Sequence, residues 1–150
     1  MTTQETAALL RTYDNVLILT HRRPDGDTIG CASALCIALR QLGRTAYLLY
    51  NRETTEHFLP YAQEFWAPED FTPDHVVSVD IASLSLLPEN AQVYRDRIDL
   101  AIDHHPSFEH FTPQSCVIPE RAACGEILYE IIEQMVSVNP EIALPLYAAV

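Results

Sequence analysis

Seven consecutive residues, His21-Arg22-Arg23-Pro24-Asp25-Gly26-Asp27, carry one imidazole and two carboxylates. Two later segments also finish on acids: His75 to Asp80, and Ile98 to Asp103, which runs directly into His104-His105. Groups of these types either move protons or hold a metal. Carboxylates sharing a pocket oppose one another's ionisation unless protons or cations neutralise them. A divalent cation is the natural neutraliser, and a donor set of oxygen and imidazole without thiolate suits Mn²⁺ first and Mg²⁺ second, rather than structural zinc. Two such ions about 3.5–4 Å apart, sharing one carboxylate, would hold a hydroxide between them and clamp phosphoryl oxygens during in-line displacement. Asp80, which the pattern places centrally, is the candidate bridge.

These residues need a scaffold that gathers them. Val16-Leu17-Ile18-Leu19 is a continuous branched run, as in a strand buried on both faces, and Thr28 to Leu42 has helical spacing, so the first motif is a strand-to-helix turn. Asp27 or Thr28 is expected to cap that helix, and Gly43 to stop it. A lead-in helix is expected over 3–12, strands over 15–19, 45–50, 75–80 and 98–103, and one short helix within the Pro-punctuated stretch 51–73. Residues 83–95 read as a helix or turn-rich crossover, because parallel strands cannot be joined by a tight hairpin. A Pro- and Phe-containing loop follows His105, then a helix from about Ala122 to Val136. Asn139-Pro140 opens a last helix that contains Pro145. The pattern is α/β: a Rossmann-like parallel sheet flanked by helices, in one domain over 1–150. Ligands in such sheets bind at the carboxyl ends of strands, where His21, Asp25, Asp27, Asp80, Asp103, His104 and His105 all fall.

Each piece alone has a plainer reading. A single Asp at a strand end is more often a turn former or a cap, and Asp-x-Asp at a helix start can be simple dipole complementation. Their conjunction at one sheet edge points to a metal centre. His57, His75 and His110 read as surface or structural. Arg22 and Arg23 read as either solvated or phosphate-facing, and Tyr47, Tyr50, Tyr61 and Trp66 as core or pocket wall rather than a stacking platform.

Composition narrows the partners. With 48% hydrophobic and 20% charged residues the chain is ordinary globular protein. A formal net charge of −12 argues against a long nucleic acid lying across this domain. No signal-like or membrane-spanning run is seen, which predicts a cytoplasmic protein. Cys31, Cys36, Cys116 and Cys124 show no C-x-x-C pairing and read as reduced thiols, Cys31 and Cys36 within one helix.

The three motifs in order, HRRPDGDTIG, VVSVD and Asp103-His104-His105, resemble the DHH phosphoesterase superfamily. The resemblance implies that His21, Asp25 and Asp80 bind one metal and that Asp27, Asp80 and His104 bind the other. It further implies that His105 contacts substrate phosphate and that Asp103 supports the histidines. Pro119 to Ile132, PERAACGEILYEII, resembles the helix after the triplet in the nanoRNase and 3′-phosphoadenosine-5′-phosphate phosphatase branch. That branch implies hydrolysis of short RNA oligonucleotides or of 3′-phosphoadenosine 5′-phosphate. The family's fourth motif, an Asp-Thr-Gly segment, and its smaller C-terminal domain are not present. The sequence therefore reads as the front of a longer protein, with weak or no turnover on its own. Rival readings are an inorganic pyrophosphatase or polyphosphatase, and a catalytically incomplete nucleotide-binding regulatory module. A Rossmann dinucleotide binder lacks its G-x-G-x-x-G turn. A homodimer is left open by the residues.

Overall fold

The computed structural model describes every residue from Met1 to Val150. Helix α1 spans Thr3–Leu10 and begins with a capping box, Thr2 accepting from the Glu5 amide while the Glu5 carboxylate accepts from the Thr2 amide. Then follow β1 (Val16–Leu19), α2 (Gly26–Gln41), β2 (Ala46–Leu48), the short α3 (Leu59–Ala62), β3 (His75–Val79), β4 (Leu100–Asp103), β5 (Gln114–Val117), α4 (Cys124–Glu133) and α5 (Pro140–Ala149). The crossover between β3 and β4 is two short 3₁₀ segments, over 84–86 and 89–94.

All neighbouring strands pair in parallel, in the order β2-β1-β3-β4-β5. The chain leaves β1 toward one edge, through β2, and returns on the other side at β3. The strand order therefore reverses between β1 and β3, which opens the crevice where ligands sit in such sheets. The motif residues follow β1, β3 and β4, the three inner strands.

Alternation along the strands splits the core. Val16, Ile18, Val77, Val79, Leu100 and Ile102 belong to the larger apolar cluster, together with the buried residues of α1, α2, α4 and α5. Leu17, Leu19 and Val76 belong to a second cluster with Ile81, Leu87, Ala91 and Ile98, formed with the crossover. Both faces are thus covered, as a parallel sheet requires. Helix α5 lies directly on α2: a Cβ on Gly30 would come 2.2 Å from the Pro145 carbonyl oxygen, and one on Gly26 2.4 Å from that of Ala148.

Two expectations need correction. The loop after His105 contains β5, an edge strand on which only Cys116 is fully buried; a single buried position gives no period to read. The residue capping α2 is Asp25, extended and accepting from the Thr28 amide at 3.2 Å, rather than Asp27 or Thr28. The helix starts at Gly26, so Asp27 already lies inside it and its side chain is used elsewhere. Other signals hold: Gly43 ends α2's exit turn with φ +76°, and Asn139 caps α5 by accepting from the Ile142 amide, with Pro140 at the first helical position. All four cysteines are free and buried, Cys31 and Cys36 both in α2. No helix is long and apolar enough to cross a membrane.

Candidate metal centre

Asp80 is the hub. It follows β3 with φ +58°, a left-handed conformation that few non-glycine residues adopt, and is 3% exposed. Its amide donates to the Ile102 carbonyl at 2.9 Å, which ties the turn to β4. Three imidazole nitrogens surround its carboxylate: His21 Nε2 at 3.7 Å from Oδ2, and His104 Nε2 and His105 Nδ1 each at 3.6 Å from Oδ1. Oδ1 is buried without a hydrogen-bond partner. Burial, followed by the charges of Asp27 and Asp25, pushes the Asp80 carboxyl up to about 8. A bound cation would satisfy that oxygen and favour the ionised form.

The histidine rings are oriented for ligation. His21 Nδ1 donates to the Arg22 carbonyl at 2.8 Å, and His104 Nδ1 to the Arg121 carbonyl at 3.1 Å. A carbonyl oxygen has no hydrogen to give, so Nδ1 carries the proton, and in the neutral ring Nε2 is left as a bare lone pair. His105 Nδ1 donates to Asp103 Oδ1 at 2.8 Å. Metal-binding histidines characteristically make such bonds through the ring nitrogen that does not ligate.

Two groups of mutually close donors share Asp80: His21 with Asp25, and His104 with His105, in each case within 4.8 Å. Ligand atoms around one small ion, each about 2.1 Å away, are separated by about 3–3.5 Å. The observed spacings of 3.5 Å between His21 Nε2 and Asp25 Oδ1, and 3.6–3.7 Å around Asp80, fit cation coordination after slight contraction. Two cations bridged by Asp80 are therefore compatible with these residues. Burial opposes charge on His21, but the Asp25 carboxylate, the Arg22 carbonyl and Asp80 outweigh it and raise its pKa. Asp25 is correspondingly lowered, first by its bond to His21.

Asp27 sits beside these groups. Its Oδ2 lies 3.6 Å from His104 Nε2 and accepts from the Cys124 amide at 2.9 Å. Its Oδ1 accepts from the Gly125 amide at 2.9 Å and from the Cys31 thiol at 3.3 Å. The structure thus groups His105, rather than Asp27, with Asp80 and His104 in the second set of close donors. Asp103 is fully buried; its Oδ1 accepts from the His104 amide and from His105 Nδ1. It supports one imidazole, His105, while His104's ring is held by the Arg121 carbonyl. That carbonyl, the one of Arg22, the Cys31 thiol and the buried Asn51, whose amide donates to the His21 carbonyl at 2.9 Å, were not read from the sequence. Main-chain carbonyls leave no residue-type signal. His75 lies at the far end of β3, stacked 3.8 Å from Tyr13, and His57 and His110 are exposed.

The family model for the DHH family, N-terminal domain, matches residues 15–150. The chain belongs to the DHH family. It is 30% identical over 138 residues to the bifunctional oligoribonuclease and PAP phosphatase NrnA of Thermus thermophilus, covering 90% of this chain and 42% of that protein. An exopolyphosphatase-related protein from Bacteroides fragilis superposes with a TM-score of 0.81 at 20% identity, covering 98% of this chain and 48% of the other. Exonuclease RecJ bound to manganese superposes with a TM-score of 0.53 at 16% identity, covering 97% of this chain and 42% of the other. The chain spans somewhat under half the length of these relatives.

Proposed function

We propose that this domain forms the metal-binding half of a phosphoesterase that hydrolyses short RNA oligonucleotides or 3′-phosphoadenosine 5′-phosphate. The observation that carries the reading is the buried Asp80 carboxyl, its Oδ1 unpartnered, with the Nε2 atoms of His21 and His104 at 3.7 and 3.6 Å. His21, Asp25 and Asp80 would hold one Mn²⁺ or Mg²⁺ ion, and Asp27, Asp80 and His104 the other. Bound cations of this kind activate water at neutral pH and neutralise charge on phosphoryl oxygens.

The chain's own groups then have distinct tasks. The carbonyls of Arg22 and Arg121 fix the tautomers of His21 and His104. Asp103 steadies His105, whose ring is 42% exposed and whose other nitrogen is free to meet a substrate phosphate. Short substrates are favoured because the domain is strongly acidic. Similarity to the Thermus thermophilus enzyme supports the choice of substrate.

Calorimetric titration with Mn²⁺ tests the reading. The parent chain should take up Mn²⁺, and Asp80→Ala should abolish uptake at both positions; equal binding by the variant would overturn the ligand map. Assays of a dinucleotide, 3′-phosphoadenosine 5′-phosphate and pyrophosphate, run side by side, separate the nucleotide reading from a pyrophosphatase. Metal and nucleotide binding without hydrolysis of any of the three would point to a regulatory module.

A further inference from the structure

All nine basic residues of this chain are arginines. Seven have guanidinium groups engaged within the molecule. Arg11, Arg40, Arg44 and Arg97 donate to backbone carbonyls, and Arg52, Arg95 and Arg121 pair with carboxylates. Only Arg22 and Arg23 lack such a partner, and they directly follow His21. In an acidic domain, these are the two cations left free beside the candidate metal centre.

Arg22 lines a cavity of about 570 Å³, within the range of roughly 300–1,000 Å³ usual for small-ligand pockets. Its walls are fixed to the first motif. The Arg22 amide donates to the Leu86 carbonyl at 2.8 Å, which anchors the wall formed by Leu87 and Pro88. Opposite, the Asn51 amide binds the His21 carbonyl and the Thr20 hydroxyl, which holds the segment carrying Tyr50. Tyr50 is 49% exposed, and its ring is braced edge-on by Trp66 at 4.7 Å. The cavity's acids do not claim Arg22: Glu89 pairs with Arg52 across the rim at 3.2 Å, and Glu53 accepts from the Arg23 amide at 2.6 Å.

We propose that this cavity is a nucleotide subsite, in which Arg22 holds a phosphate and the nucleoside packs between Tyr50 and the Leu87-Pro88 wall. A planar guanidinium matches phosphate geometry, and a half-exposed aromatic beside an apolar wall suits a sugar and base. Arg22 directly follows the candidate ligand His21 in the chain, which assigns the cavity the phosphate adjoining the one attacked, a step that rests on the phosphoesterase reading.

The test uses adenosine 5′-monophosphate, adenosine and inorganic phosphate as probes, titrated into the full chain in EDTA and followed by amide shifts of Glu89 and Asn90. With metal excluded, the subsite is tested apart from the metal centre, whose own test is Mn²⁺ titration. The parent should bind the mononucleotide more tightly than either fragment. Arg22→Gln should weaken that binding by about tenfold or more, Arg23→Gln should leave it unchanged, and Tyr50→Ala should weaken the mononucleotide without affecting inorganic phosphate. No binding by the parent, no effect of Arg22→Gln, or equal loss with Arg22→Gln and Arg23→Gln would each overturn the proposal. The last result would reduce the arginines to a diffuse charge.

Discussion

Asp27, on α2, caps helix α4: its two carboxylate oxygens accept from the amides of Cys124 and Gly125, each at 2.9 Å. The residue at α4's own N-cap position is Ala123, which has no side-chain acceptor. A carboxylate nearly a hundred positions earlier thus satisfies the orphan amides and complements the positive end of the helix.

Two roles for Asp27 can therefore be separated. Asp27→Ala should destabilise the fold by about 1–2 kcal/mol through loss of the cap, and Asp27→Asn by less, since the Asn oxygen keeps one of the two helix amides while its amino group leaves the other without an acceptor. If Asp27 also ligates metal, Asp27→Asn should still weaken Mn²⁺ binding. Urea unfolding and Mn²⁺ titration of both variants check this.

The Asp80 carboxyl predicts a pH-dependent stability in the metal-free protein. Its pKa is raised from the unfolded value near 4 to about 8. Between these values the native state binds more protons at Asp80 than the unfolded one, so the Asp80 contribution to stability is full below pH 4 and is lost as pH rises toward 8. Each unit is worth about 1.4 kcal/mol, and the loss should be on the order of a few kcal/mol. In EDTA, the difference in stability between Asp80→Asn and the parent should grow in the variant's favour over this window. A constant difference would remove the buried-acid argument.

Imidazole tautomers offer a readout independent of activity. ¹⁵N spectra should show His21, His104 and His105 with hydrogen on Nδ1. Asp103→Asn should perturb His105 and leave the rings of His21 and His104 unchanged, because backbone carbonyls hold those two.

Two glycines should fail for different reasons. Gly30→Ala forces a methyl into the Pro145 carbonyl and the Ala149 side chain, and should cost about 1–3 kcal/mol while lifting α5 from α2. Gly43→Ala meets nothing within 4 Å but must hold φ +76°, and should cost about 1–2 kcal/mol with α5 undisturbed. Denaturation midpoints, together with amide shifts in α5, distinguish the two.

The sequence by itself determined the strands that end on acids and the helix that follows the first motif. Apolar runs such as Val16 to Leu19, and turn residues such as Pro24 and Gly43, act on their immediate neighbours and can be read from them. It also placed His21, Asp25, Asp80, His104 and His105 at one sheet edge, because strand direction carries each residue's position with it. Only the tertiary structure decided which side chains meet there. It turned Asp27 toward α4, set Arg22 and Arg121 carbonyls against two imidazoles, and gave Asp103 one ring to hold, that of His105. It also added β5, where a single buried Cys116 has no periodicity to announce it. These outcomes depend on contacts between segments far apart in the chain and on main-chain groups that every residue shares. A one-dimensional pattern of residue types records neither.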